Sequence, residues 1–266
     1  MTTDTVISVG KTNMWMECLA GDARIEGDDA EIVADNFVAH AAESHDWPFP
    51  EEVLRHYARN YAEANVRLTG DTRRHDDIGE VTVHPVSEGR IDDWISFFDH
   101  DAFAGNPDWA SCYCLEPHVP ADEERPWREV RTAMIERLGS GGAYGYLAYV
   151  DGNPAGWVNA SPRSDYGLYR EVDPGGPDPA SVIGVSCFII APPYRRHGLA
   201  AKLLDRVIAD AADRGARWVE GYPYNDPQDD DAGHYRGPRQ IYVARGFETV
   251  EQREHDTVMR RAVVID

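Results

Sequence analysis

The residues best able to do chemistry in this 266-residue chain lie in one stretch, Val182-Ile183-Gly184-Val185-Ser186-Cys187-Phe188-Ile189-Ile190-Ala191-Pro192-Pro193-Tyr194-Arg195-Arg196-His197-Gly198-Leu199-Ala200-Ala201-Lys202-Leu203-Leu204. The nearly continuous apolar run predicts a strand buried on both faces, and the amphipathic spacing after Gly198 predicts a helix. A basic turn between the two leaves the first N–H groups of the helix without intrahelical partners. It also adds the positive end of the helix dipole and two arginines, which together suit a phosphate group. Gly198 lets the backbone approach a ligand closely, and Ala200 keeps the first helical turn small. With 47 Asp and Glu against 26 Lys and Arg, and a net charge of −21, the cluster Arg195, Arg196 and His197 is an exception that a phosphate ligand would explain.

The acidity itself argues against phosphate backbones and anionic lipid surfaces as partners, so neither nucleic acid nor membrane binding is expected. Lys11 and Lys202 are the only lysines. Such an Asp-rich, Lys-poor surface is similar to that of proteins from salt-accumulating microbes, where salt screens self-repulsion. No apolar run approaches the roughly 18 residues that cross a bilayer, and the first ten residues lack the basic start and apolar core of a secretory signal. A cytoplasmic location is therefore expected. Cys18, Cys112, Cys114 and Cys187 are too few for a disulfide framework and read as reduced thiols.

The elements that must position the turn follow from periodicity. The polar stretch over 68–78, with its Gly70-Asp71 pair, predicts a boundary between a small N-terminal module over 1–75 and a larger domain over 76–266. In the first, short strands are expected at 12–18 and 22–26. Helices should follow at 30–44, with Ile32, Val33, Phe37, Val38 and Ala41 inward, and at 51–66, with Val53, Leu54, Tyr57, Tyr61 and Ala64 inward. In the second, a strand at 80–85 precedes a helical region over 91–106 and a helix over 126–138. A hairpin follows at 144–161 about Asp151-Gly152-Asn153-Pro154, and beyond the buried strand come a short strand at 218–222 and a terminal hairpin within 248–264.

At Arg195-Arg196-His197-Gly198-Leu199-Ala200 the chain resembles the GCN5-related N-acetyltransferase (GNAT) superfamily, whose acyl-CoA motif is Arg/Gln-x-x-Gly-x-Gly/Ala after a strand. The run Ile241-Tyr242-Val243-Ala244-Arg245-Gly246-Phe247 is similar to the Tyr-x-x-x-Gly-Phe helix end of that family, and the resemblance extends over 79–264. It implies a mixed α/β (α+β) fold whose mostly antiparallel central sheet has splayed central strands flanked by helices, beside the N-terminal hairpin and helices. It implies acetyl-CoA as co-substrate and a primary amine, on a small molecule or a protein, as acceptor. Backbone groups of Phe188, Ile189 and Ile190 would pair with the pantetheine arm, and the segment Arg195, Arg196, His197, Gly198, Leu199, Ala200 and Ala201 would hold the pyrophosphate. Tyr242 stands at the position of the general acid. Glu220 on the short strand is a base candidate whose other reading is an ion pair with an arginine, and Asn225 is a pantetheine contact. Two departures are Arg196, where many members have Gly, and a long insertion over 227–237. The alternative is a CoA-responsive or partner-binding module without catalysis. A homodimer is compatible with the resemblance.

Three further constellations have bland readings. Cys112 and Cys114, in Trp109-Ala110-Ser111-Cys112-Tyr113-Cys114, would face the same way in an extended segment. This run resembles a subgroup of acetyltransferases with a Cys-Tyr-Cys element; His100 and His118 are the further ligands a metal would need there, and core or cleft-lining cysteines are the reading adopted. Cys18, His40 and His45 imitate a zinc-finger outline within a segment that resembles a small uncharacterised domain family, but a fourth ligand is missing, so Cys18 is read as core and His45 as a helix C-terminal group. No metal is expected; the alternative is that the N-terminal module binds zinc and delivers the chain to a protein partner. Asp229-Asp230-Asp231 could draw a cationic amine and is read as a solvated charge run.

Overall fold

A computed structural model describes residues 13–119, 125–169, 171–173, 175–226 and 233–264. The run at 229–231 and most of the insertion lie outside these described residues. Contacts divide the chain into two compact units, 1–68 and 69–266.

In the first unit, β1 (Met14–Glu17) pairs antiparallel with β2 (Arg24–Gly27). The helix α1 (Ala30–Ser44) starts at Asp29, whose carboxylate accepts the Ile32 amide at 2.9 Å and satisfies one of the unpaired donors of the first turn. Its buried face is Ala30, Val33, Ala34, Phe37 and Ala41. Ile32, expected inside, is 40% exposed, because the stripe is centred on small alanines that bring α2 (Glu51–Arg67) close. On α2 the inward side is Leu54, Ala58, Ala62 and Ala64, with Tyr57 and Tyr61 only partly covered.

The second unit is a mixed α+β fold on a seven-stranded, mostly antiparallel sheet in the order β3-β4-β5-β6-β7-β9-β8. Its strands are β3 (Val81–Pro85), β4 (Gly145–Val150), β5 (Asn153–Pro162), β6 (Val182–Ile190), β7 (Trp218–Gly221), β8 (Glu248–Gln252) and β9 (Thr257–Ala262). Its helices are α3 (Ile91–Ser96), α4 (Trp127–Ser140), α5 (Leu199–Asp210) and α6 (Arg239–Val243). The hairpin between β4 and β5 turns through Asp151 and Gly152 at φ 49° and 82°, as a two-residue hairpin turn requires. Leu199, Leu203, Leu204 and Val207 of α5 pack on Ala148, Val158 and Val185 of the sheet in one buried cluster.

Two features of β6 position the site. Asn159 faces Cys187 while Ala160 faces Val185, so Ser186 is an extra residue, a bulge that bends the strand. On its other side β6 runs parallel to β7, paired only from Val182 to Val185 against Trp218 to Gly221. Past that point the two central strands part, and a gap opens at the end of β6.

Candidate functional site

That gap forms a cleft of about 270 Å³. The strand β6 lines it with Phe188, Ile189 and Ile190; the turn contributes Arg195, Arg196 and Gly198, and the start of α5 contributes Leu199, Ala200 and Ala201. The opposite wall includes Trp109, Tyr235, Pro238 and Ile241.

The backbone of β6 alternates in direction. The Ala191 amide donates to the Ala155 carbonyl at 3.0 Å, and Ile189 stands opposite Trp157 in the same register. Pairs 155/191 and 157/189 are therefore the hydrogen-bonded ones, and Phe188 and Ile190 turn their own amides and carbonyls away from β5 toward the gap. Two of these four groups are engaged: the Phe188 amide donates to the Tyr235 carbonyl at 2.6 Å, and the Ile190 carbonyl accepts Arg195 Nε at 3.0 Å. The second bond folds the basic turn back onto the strand end.

The turn delivers helix α5 with its N-terminus open to the cleft. Gly198 is the N-cap residue at φ 79°, and no side chain caps the helix. Intrahelical bonding begins with the Lys202 amide on the Gly198 carbonyl at 3.1 Å, which leaves the amides of Leu199, Ala200 and Ala201 without helical acceptors. Arg196 also has a left-handed backbone, at φ 66°. A glycine would adopt it without the roughly 1–2 kcal/mol that a β-carbon costs there. His197 departs from expectation. Its Nε2 donates to the His75 carbonyl at 2.9 Å, and its side chain is absent from the cleft wall. The His75 amide in turn donates to the Pro193 carbonyl at 3.0 Å, so the polar segment around His75 braces the turn.

The residues expected to move protons are held elsewhere. Glu220 is wholly buried. Its carboxylate accepts Arg163 Nη1 at 3.0 and 3.1 Å, Arg260 Nε at 2.6 Å and the Tyr222 hydroxyl at 3.0 Å. The arginine-pair alternative describes it, and its oxygens do not reach the cleft. Tyr242 is also wholly buried, and burial pushes its phenol far above the ordinary value. Its hydroxyl donates to the Arg236 carbonyl at 2.8 Å, one residue before Gly237, which lines the cleft. Gly221 lies flat against the Tyr242 ring, where an added β-carbon would come within 2.1 Å of a ring carbon.

Asn225, expected as a pantetheine contact, is engaged within the protein. Its side-chain amide donates to the carbonyls of Arg253 and Glu254 at 2.8 and 3.2 Å, and its oxygen accepts from Gln252 and Thr257 at 2.7 Å each. It latches the turn of the β8–β9 hairpin and is not part of the cleft wall.

The Cys112–Cys114 run is not extended, because Tyr113 and Cys114 have φ of 44° and 54°. Cys114 Sγ lies 3.1 Å from Cys187 Sγ in the core, and burial pushes the Cys114 thiol up. His118 turns to Asn159 and the Asp165 carbonyl rather than to these thiols. Trp109 alone of that run reaches the cleft. Sequence reasoning missed the wall formed by His234, Tyr235 and Gly237, which belongs to the insertion and carries no local periodicity.

Residues 107–229 match the acetyltransferase (GNAT) family. The match includes the turn and stops before Tyr242. A mycothiol acetyltransferase from Thermobifida fusca (strain YX) is 43% identical over 77 residues, which are 29% of this chain and 20% of that protein. The chain thus matches about a fifth of that relative's length. Similar solved structures include a probable acetyltransferase from Staphylococcus epidermidis ATCC 12228, at TM-score 0.44 and 8% identity over 70% of this chain and 100% of that one. Another is a putative acetyltransferase from Salmonella typhimurium solved with its cofactor acetyl-CoA, at TM-score 0.40 and 13% identity over 69% of this chain and 94% of that one. Among the described residues no helix is long and apolar enough to cross a membrane.

Proposed function

Residues 107–229 are a domain of the acetyltransferase (GNAT) family, and from that premise we propose that this chain transfers an acetyl group from acetyl-CoA to a primary amine. The observation that carries the reading is the uncapped N-terminus of α5, which opens beside an arginine turn onto a cleft bounded by the partly free edge of β6. Three unpaired amides and the helix dipole suit a pyrophosphate. The Phe188 carbonyl and the Ile190 amide, both directed into the gap, suit the amides of a pantetheine arm in the manner of an added strand.

When bound, acetyl-CoA supplies the activated acyl carbon. As the amine nitrogen bonds to it and the carbon–sulfur bond breaks, the amine must lose a proton and the sulfur must gain one. Among the described residues the cleft wall holds no carboxylate and one imidazole, His234, so this reading gives His234 the amine's proton. It keeps Tyr242 as the donor to sulfur once the Arg236 carbonyl releases the phenol. Glu220, held by two arginines, has no part in the transfer.

A second reading, a CoA-responsive module without catalysis, is favoured by that same bond from Tyr242 to Arg236. Calorimetric titration with acetyl-CoA and with free CoA, at low and high salt, followed by a free-thiol assay across a panel of amines, separates the two. Binding with thiol release that Tyr242→Phe slows supports the transferase. Binding without release for any amine supports the module, and no binding by the folded protein removes both.

A further inference from the structure

In the N-terminal unit, Cys18, Asp22, His40 and His45 bring four potential ligand atoms within 4.8 Å of one another. Cys18 follows β1 and opens a tight turn in which its amide donates to the Ala23 carbonyl at 2.8 Å and its carbonyl accepts the Gly21 amide at 2.7 Å. Gly21 takes φ 71° there, and the turn sets Asp22 beside Cys18. His40 stands on the last turns of α1. On a continuing helix His45 would point about 140° away from it. The helix stops at Ser44, however, and His45, with φ −135° and ψ 148°, swings back. The Trp47 ring stacks on His45 at 4.2 Å and holds it there.

Hydrogen bonding cannot account for all the contacts of His45 at once. His45 Nε2 lies 3.4 Å from Cys18 Sγ, 3.3 Å from His40 Nε2 and 3.4 Å from an Asp22 oxygen, while His40 Nε2 is 3.4 Å from the other Asp22 oxygen. One imidazole nitrogen has one in-plane proton or lone pair and cannot serve three partners. A single ion among the four atoms can serve them all. Tetrahedral zinc, with bonds of about 2.0–2.3 Å, sets its ligand atoms about 3.3–3.6 Å apart. We propose that Cys18, Asp22, His40 and His45 form a structural zinc site, with Asp22 as the fourth ligand.

The donor set fits zinc over other divalent ions. A thiolate, a carboxylate and two neutral imidazoles balance a divalent charge, and the nitrogen and sulfur donors disfavour calcium and magnesium. Four protein ligands leave no open position for substrate, so the role is structural. A small unit built on two strands and two helices has a limited core and gains stability from a metal. Ser44 Oγ, 3.5 Å from His40 Nδ1, faces the ring nitrogen turned away from the site.

The test uses the full chain, purified without chelator from zinc-supplemented cells. Metal analysis should find one zinc per chain, and exchange for cobalt(II) should give thiolate charge-transfer absorption with the intense visible bands of a tetrahedral centre. Cys18→Ser should lose the charge-transfer band. Asp22→Asn, whose side chain is 45% exposed, should leave the fold intact and weaken zinc affinity, read by competition with a chromophoric chelator, by at least the roughly 10–100-fold that a lost outer contact costs. Cys112→Ser, in the other unit, should keep its zinc. Trace zinc with no cobalt band in the folded protein would overturn the proposal. So would unaltered zinc affinity in Asp22→Asn together with unaltered zinc content in Cys18→Ser.

Discussion

The amide of Phe188 donates to the carbonyl of Tyr235 across the gap between the two central strands, at 2.6 Å. The chain's own segment thus takes one donor on the edge of β6 and leaves the Phe188 carbonyl and the Ile190 amide to the proposed acyl-CoA arm, and two residues further on the Gly237 backbone covers Tyr242. On the proposed reading an acyl-CoA arm lying along β6 would pass close to that carbonyl, so the stability of the 233–238 segment is expected to oppose binding.

The Tyr224 and Tyr235 hydroxyls share a hydrogen bond of 2.7 Å, and Tyr224 is not part of the cleft wall. Tyr224→Phe removes about 1 kcal/mol of support from the segment. CoA should then bind more tightly, up to about fivefold by calorimetry. An unchanged or weaker affinity would mean that the segment does not compete with the ligand.

Gly198 holds φ 79° with open space where a side chain would project. Gly198→Ala should cost about 1–2 kcal/mol of stability through backbone strain alone and leave CoA binding detectable. Gly198→Glu adds a negative charge before the open amides of α5 and should abolish CoA binding while the protein stays folded by circular dichroism. CoA affinity equal to that of the alanine variant would remove the assignment of the turn.

Glu220 sits between Arg163 and Arg260 with its side chain wholly enclosed. Glu220→Gln leaves buried guanidinium charge uncompensated, so the unfolding free energy should fall by about 3–5 kcal/mol in urea titration. Full stability with loss of acetyl transfer would instead make this carboxylate the base.

Burial lowers the His118 pKa to about 4. Asn159 Nδ2 donates to its Nε2 at 3.0 Å and its Nδ1 faces the Asp165 carbonyl at 3.2 Å, a pattern that accommodates the neutral ring. The unfolded chain takes up a proton near pH 6.5 and the folded one only near 4. The contribution is therefore present above about pH 6.5 and lost as pH falls toward 4, by up to about 3 kcal/mol. His118→Gln should flatten the stability profile across that window; an equal slope in both proteins would show that other groups set it.

Much of the fold was legible because the signals are local. The apolar run of β6, the Gly198 turn and the stripe of α5 lie within 23 consecutive residues, and their periods and dihedral demands act on neighbours along the chain. The same holds for α1, expected over 30–44 from its 3.6-residue spacing and found there. Individual side chains were less legible. Ile32 was placed by counting periodicity, but the packing of α2 on the alanines rotated the buried face away from it.

From sequence alone came the order of elements, the family resemblance and the position of the basic turn before α5, since hydrophobic period and backbone conformation are properties of short segments. Tertiary structure alone decided which charge meets which. Arg163 and Arg260 reach Glu220 from 57 and 40 residues away, Asn225 closes on a hairpin about 30 residues further on, and Asp22 joins His45 across a whole helix. The physical reason is that pairing energy depends on distance in space and on exclusion of water. Both are set by sheet register and helix packing, and neither is written in the spacing along the chain.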